Sequence, residues 1–355
     1  MKKTRTGASG WAHINTYEQK AGQRLMVGFD GKNLNEDLMF LIDTIKVGGI
    51  ILFSRNISAP DQVKDLCSSV QEYAKSCGQP PLFVGIDQEG GQVARLKEPF
   101  AQFPGNPEMK GVTDARHFAE ITAKELATIG INMNMAPVMD VAPKEIQSVM
   151  AERVFGCDPE WVSKLGVEVI EHMQQDGIMA VAKHFPGIGR IILDPHDDLP
   201  TLSVEISDME SFDFPPFEAA IKHDVAGIML SHILYDKIDS KWPASLSKCI
   251  ASDLLRKRMG FDKIVITDDL DMGSIDKHYE IKTIIRQILL ADIDISLICH
   301  PGPNIEKAFE EILNCITGFP DIKAKTEESI RRIMKMKRKY LNLSQLLSAL
   351  PAAGR

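Results

Sequence analysis

Short apolar runs recur along the chain, each ending in polar or glycine-rich punctuation, at residues 25–29, 49–53, 82–86, 131–136, 178–182, 227–230, 263–266 and 293–298. Their length and β-branched content predict buried strands. Between them and after the last, the apolar positions take a helical period, over 36–47, 60–76, 114–129, 159–175, 215–223, 247–259, 281–291 and 304–316. Strands that alternate with helices imply a parallel sheet, because a parallel neighbour needs a crossover and a helix supplies one. Eight such units predict an α/β fold closed into a single (β/α)8 TIM-type barrel. An open doubly wound sheet would carry a phosphate-binding G-x-G-x-x-G after an early strand. The glycines after the third run instead stand in the acidic sequence Asp87-Gln88-Glu89-Gly90-Gly91-Gln92. A further helical segment, 323–347, has a Lys/Arg-rich face and reads as an extra C-terminal helix packed outside the barrel, with that face in water. Residues 1–355 are expected to form one domain, with the barrel at about 20–320.

Composition narrows the function classes. The chain is 44% hydrophobic and 25% charged, as a globular protein is. Its 41 Lys and Arg against 49 Asp and Glu give a net charge of −8, and no Lys/Arg stripe stands out, so nucleic acid is not expected as a partner. The basic start is not followed by an apolar signal-peptide core, and no segment approaches the roughly 18 apolar residues of a membrane span. Cys67, Cys77, Cys157, Cys249, Cys299 and Cys315 are scattered, without a C-x-x-C pair. Reduced thiols in a cytoplasmic protein are expected.

In barrel enzymes the chemistry sits where strands end. Here the runs lead into Asp30, Ser54-Arg55-Asn56, Asp87-Gln88-Glu89, Asp140, Lys183-His184, Ser231-His232, Asp268-Asp269 and His300. Any one could cap the next helix, and Asp30 and Asp140 read that way. The set together predicts a convergent polar pocket. The loop from Lys183 to Pro200, with two glycines and three prolines, is long enough to be functional. Within it Asp194 precedes His196 by two residues and can fix which imidazole nitrogen faces outward. An isolated Asp-x-His more often only decorates a surface loop. The seventh run ends in Asp268, Asp269 and Asp271, and an ionised Asp can act as a nucleophile or bind a cation. The Lys183 ammonium would compete with a cation, so neither a metal nor a cofactor is expected.

Several of these segments, in order, resemble the family 3 glycoside hydrolases, and within them the bacterial exo-acting β-N-acetylglucosaminidases of peptidoglycan recycling. They are Gly85-Ile86-Asp87-Gln88-Glu89-Gly90-Gly91 with Arg95, the stretch from Asn132 to Val141, Arg153-Val154-Phe155-Gly156, Lys183-His184-Phe185-Pro186-Gly187, Asp194-Pro195-His196 and Ile266-Thr267-Asp268-Asp269-Leu270-Asp271-Met272. The resemblance implies a (β/α)8 barrel. It implies that Asp268 is the nucleophile of a retaining mechanism, His196 the acid/base and Asp194 its orienting partner. Asp87, Arg95, Arg153, Lys183 and His184 would hold the terminal sugar. A His in place of the second carboxylic acid departs from the usual two-carboxylate scheme, and an ordinary imidazole suits proton transfer near neutral pH. The sequence itself departs from the resembled pattern at Gln92, where Arg is usual, at Ile188, where His is usual, and at Pro195, where Ser is usual. The implied partner is a small carbohydrate, acted on by a monomer, with neither nucleic acid nor membrane involved.

Other functions fit parts of the pattern. A barrel lyase could form a Schiff base on Lys183. A sugar-binding protein would keep Asp87 and the cations without needing Asp268 and His196 together. A β-glucosidase or a phosphorolytic enzyme of the same family would share most of the site. Aromatic residues make up 6% of the chain, which suits a small exo-acting pocket better than an extended cleft.

Overall fold

The structure, a computed structural model, describes residues 14–196 and 198–341. Eight parallel strands close into a barrel: β1 (Leu25–Val27), β2 (Gly49–Leu52), β3 (Phe83–Ile86), β4 (Met133–Asn134), β5 (Met179–Phe185), β6 (Gly227–Leu230), β7 (Ile264–Asp269) and β8 (Ile295–Ile298). Each strand pairs with its chain neighbours and β1 closes on β8. The crossovers are α1 (Glu36–Asp43), α2 (Pro60–Ser76), α3 (Val112–Thr128), α4 (Pro159–Gln175), α5 (Pro215–Lys222), the π-helical α6 (Cys249–Arg258) and α7 (Ile281–Leu290). After β8 come α8 (Pro303–Gly318) and α9 (Pro320–Tyr340).

Local chemistry accounts for these elements. Asn35 caps α1 through Leu38 N, and α2 starts on Pro60, whose missing N–H costs nothing in the first turn. The buried face of α2, Val63, Leu66, Cys67, Val70 and Ala74, follows the helical repeat. The strand expected at 131–136 shortens to two residues because Asn132 and Asn134 replace ladder rungs with side-chain bonds. Asn132 Oδ1 accepts from Val84 N at 2.9 Å and Asn134 Oδ1 from Gln88 N at 3.0 Å.

Alternate strand residues belong to two apolar clusters. Val27, Ile50, Val84, Ala180, Ile228 and Val265 pack outward under the helices. Met26, Ile51, Phe83, Met133, Met179, Met229, Ile264 and Ile295 fill the barrel. This parity carries on to the C-terminal ends of the strands. Phe83 and Gly85 lead to Asp87, Met179 and Val181 to Lys183, and Ile264 and Ile266 to Asp268, so all three polar groups point into the barrel mouth. Gly85 keeps the interior open: a Cβ there would lie 2.4 Å from Met26 Cε.

The C-terminal helix corrects the sequence-based expectation. It begins at Pro320 and is followed to Leu341; the expected residues 342–347 lie outside the described ones. Ile330, Ile333, Met334 and Met336 join the interior cluster while Ile322 joins the outer one, so α9 packs on the barrel's own filling as well as on α7 and α8. Its basic face is not uniformly solvated either. Lys337 is fully buried, donating to Gln23 Oε1 at 2.6 Å and Gly48 O at 2.8 Å, and Arg332 pairs with Asp292 and Asp294. No helix among the described residues is long and apolar enough to cross a membrane.

Candidate active site

The strand ends open into a cavity of about 320 Å³, lined among others by Asp87, Arg95, Arg153, Lys183, His184, Asp194, His196 and Asp268. The eight residues to which the resemblance gives roles therefore meet at one place, whereas Arg55, Asn56, Ser231, His232, Asp269 and His300 of the strand-end set do not line it. Asp30 does not; it is exposed and pairs with Arg55.

The floor is a buried ion cluster. Lys183 Nζ lies 2.8 Å from Asp87 Oδ1 and 2.7 Å from Glu89 Oε1. Arg153 grips Glu89 with two bonds, Nη2 to Oε1 at 2.7 Å and Nε to Oε2 at 3.1 Å. Arg95 reaches Asp87 at 3.6 Å. Burial alone would push both carboxyls up, but Lys183 and the arginines outweigh it and hold Asp87 and Glu89 below their ordinary pKa. Burial would likewise lower Lys183, yet the two carboxylates keep it raised and protonated. In the sequence Glu89 stood only within the strand end Asp87-Gln88-Glu89 and was given no role of its own. It follows Asp87 by two residues and so shares its inward parity, a signal that could have found it.

Asp140 does more than the helix cap expected from the sequence. Fully buried, it accepts from His184 Nδ1 at 2.8 Å and from Ile188 N at 2.8 Å, fixing both the ring and the loop that follows β5. Because a carboxylate only accepts, the Nδ1 proton sits on His184, and Nε2 is left for the cavity. The same loop is fastened at Gly187, where φ is 124° and an added Cβ would come within 2.9 Å of Asp213 Cβ. Tyr235 donates to Gly187 O at 2.9 Å, and Arg190 Nε lies 3.0 Å from Asp213 Oδ2.

Of the three carboxylates at and just beyond the end of β7, Asp268 alone lines the cavity. Asp269 Oδ1 accepts from Cys299 N at 2.9 Å and Asp271 N at 3.1 Å, and Asp271 Oδ2 accepts from His300 N at 2.9 Å; both tie down the end of β8. Burial would raise Asp268, but His184, His232 and the Asp269 N–H hold it below the usual aspartate value. Asp269, whose Oδ2 lies 3.7 Å from Nδ1 of the exposed His300, is pushed up to about 6 by burial and by Asp271 and Asp268. His232 Nε2 donates to Asp269 O at 2.8 Å, and burial lowers its pKa.

In the same lining Asp194 Oδ1 accepts from His196 Nδ1 at 2.7 Å and from His196 N at 2.9 Å. His196 Nε2 has no hydrogen-bond partner among the described residues. Both side chains are exposed, at 68% and 50%. The loop is tied to the segment after β7: Gly273 N donates to His196 O at 3.3 Å and Ser274 N to Pro195 O at 3.1 Å.

A parallel barrel whose strand-end cavity gathers carboxylates, imidazoles and cations over a buried polar floor has the form of an enzyme active site. Residues 16–336 match the glycosyl hydrolase family 3 N terminal domain, and the chain belongs to this family. It is a glycosidase. It is 33% identical over 287 residues to a β-hexosaminidase of Thiobacillus denitrificans, covering 78% of each chain. Among solved structures it is similar to a glycoside hydrolase family 3 β-N-acetylglucosaminidase from Paenibacillus sp. (TM-score 0.91, 32% identity, 96% of this chain), of whose length it spans 65%. It is also similar to a β-N-acetylhexosaminidase from Beutenbergia cavernae, with a TM-score of 0.85, 29% identity, and 92% and 99% of the two chains covered.

Proposed function

We propose that the protein is a retaining, exo-acting β-N-acetylhexosaminidase that releases terminal β-linked N-acetylglucosamine from small oligosaccharides, peptidoglycan (muropeptide) fragments among them. Asp268 is the nucleophile, and His196, oriented by Asp194, is the acid/base. One observation carries the reading: an ionised carboxylate and a carboxylate-oriented imidazole line the same cavity, whose volume of about 320 Å³ suits one sugar ring better than a polysaccharide.

In the first step an Asp268 oxygen attacks the anomeric carbon while His196 Nε2 gives its proton to the departing oxygen. The bond to the aglycone breaks and a glycosyl ester forms. In the second, the neutral imidazole takes a proton from water, the water oxygen attacks the anomeric carbon, and Asp268 leaves as a carboxylate. Two inversions restore the configuration. Asp87, Arg95, Arg153, Lys183 and His184 bind the hydroxyls and the acetamido group, with charge-assisted bonds from the cations. The names of the similar proteins, β-hexosaminidase and β-N-acetylglucosaminidase, favour an N-acetylated sugar over glucose.

A Schiff-base lyase needs a neutral amine, whereas Lys183 is held charged between Asp87 and Glu89. The test is hydrolysis of matched aryl β-N-acetylglucosaminide and β-glucoside, with and without phosphate. The N-acetylglucosaminide is expected to turn over faster, at a rate phosphate does not change, with the β-anomer released first. A glucoside preference, or a requirement for phosphate, would overturn the assignment.

A further inference from the structure

We infer, on the reading that His196 is the acid, that Tyr235 is a positioning residue for it, a buried clasp that joins the two ends of the loop carrying Asp194 and His196. The loop divides into a packed base and an open tip. Gly187, Ile188, Gly189 and Ile191 are buried, whereas Ile192, Leu193, Asp194 and His196 are exposed. Little packing holds the acid/base pair, so its place relative to Asp268 depends on how the loop's backbone is held. The tip has its own two bonds, from Gly273 N to His196 O and from Ser274 N to Pro195 O. Misplacing a reacting group by about 1 Å costs on the order of 10²-fold in rate.

Tyr235 touches both ends. Where the chain leaves the loop, Leu234 and Tyr235 lie in parallel register with Thr201 and Leu202, and Leu234 N donates to Pro200 O at 3.0 Å. Where the chain enters it, the Tyr235 hydroxyl donates to Gly187 O at 2.9 Å. One residue therefore fixes the span between Gly187 and Leu202.

The hydroxyl is itself held. Tyr235 is 1% exposed, so water does not compete for it. A carbonyl only accepts, so the single phenolic proton goes to Gly187 O, and the Ser231 hydroxyl, 3.3 Å away, donates to the Tyr235 oxygen. Ser231 follows the last residue of β6, and its N–H donates to Phe185 O at 2.9 Å, which roots the relay in the barrel. A strand-end residue that does not line the cavity thereby acquires a role.

The test uses the whole protein and Tyr235→Phe, which keeps the ring and the backbone pairing and removes only the hydroxyl. kcat/KM, which reports the proton-donating first step, is measured on a β-N-acetylglucosaminyl disaccharide and on the 4-nitrophenyl glycoside. The disaccharide is expected to slow by about three- to tenfold, the size of one buried hydrogen bond, and the nitrophenyl glycoside by less than about twofold. In a His196→Ala background the same change should leave the ratio of the two rates where His196→Ala alone puts it, because the clasp acts through the missing imidazole. Ser231→Ala should move the ratio in the same direction by about twofold, and it decides the matter if melting curves show Tyr235→Phe unfolded. Equal slowing of both substrates, as a pull on the nearby sugar-binding His184 would give, overturns the clasp. So does an unmoved ratio in the single variants, or a further shift in the His196→Ala background. A His196→Ala enzyme whose two rates fall alike overturns the proposed acid, and the clasp with it.

Discussion

Lys183 Nζ lies 2.7 Å from Glu89 Oε1, and the two side chains are 3% and 2% exposed, so the ammonium at the cavity floor is neutralised by a carboxylate that solvent scarcely reaches. The same oxygen receives Arg153 Nη2. Glu89 thus positions two cations that the proposed mechanism assigns to sugar binding, while touching no reacting atom itself.

Glu89→Gln should leave Lys183 and Arg153 short of a buried counter-charge. Breaking such a pair costs about 3 kcal/mol or more, although Asp87 still faces Lys183 and moderates the loss. A fall in Tm is expected together with a KM that rises more than kcat falls. Thermal melts and steady-state kinetics on a 4-nitrophenyl glycoside check this, and unchanged KM would mean that Asp87 alone positions the floor.

Asp269 gives a prediction in pH. Its pKa is raised to about 6 in the fold, so between roughly pH 4 and 6 the native state binds more protons than the unfolded chain, and its contribution to stability declines as pH rises through that window. Asp269→Asn keeps an oxygen to accept from Cys299 N and Asp271 N but never takes a charge. Melting curves should show a higher Tm than wild type at pH 7 to 8 and little difference at pH 4. A variant less stable at pH 8 would mean that the negative charge itself supports the loop.

His278 Nε2 lies 2.5 Å from Asp198 Oδ1, joining the far side of the acid/base loop to the segment after β7. Both residues are exposed, so the pair is weak and acts only on how often the loop sits correctly. His278→Gln should slow cleavage of a disaccharide by about two- to fivefold and of a nitrophenyl glycoside less. Equal slowing of both substrates would place the effect outside the proton-transfer step.

His196→Ala should separate the leaving groups far more strongly. General acid help is worth about 10²–10⁴-fold for a sugar leaving group and much less for nitrophenolate, which departs without a proton. Asp194→Asn should fall between this variant and wild type. Equal losses on both substrates would mean that the acid lies elsewhere.

Much of the fold was legible because the barrel repeats one unit, and the runs at 82–86, 227–230 and 293–298 end where their strands do, while β5 and β7 continue three residues beyond theirs, to Phe185 and Asp269. Asp87, Lys183 and Asp268 were legible for the same reason: strand parity continues inward past the last apolar residue. Glu89 obeys that parity but was hidden inside a glycine-rich motif. The role of Asp140 could not be read, since its partner His184 is 44 residues away and only closure of the barrel brings them together. The burial of Lys337 follows from register rather than composition. Ile330, Ile333, Met334, Lys337 and Leu341 form one stripe at helical spacing, so the lysine falls on the buried face of a helix that is otherwise basic.

The nucleophile can be read directly by trapping. An activated 5-fluoro N-acetylglucosaminyl fluoride, which forms the ester quickly and releases it slowly, should add one sugar mass to the intact protein, and peptide mapping should place it on Asp268. Asp268→Ala, folded by its melting curve, should take up no label and should retain no more than a trace of the wild-type rate. A label on Asp87 or Asp269, or an Asp268→Ala protein that still turns over activated substrate at more than a few hundredths of the normal rate, would contradict the assignment of Asp268 as the nucleophile.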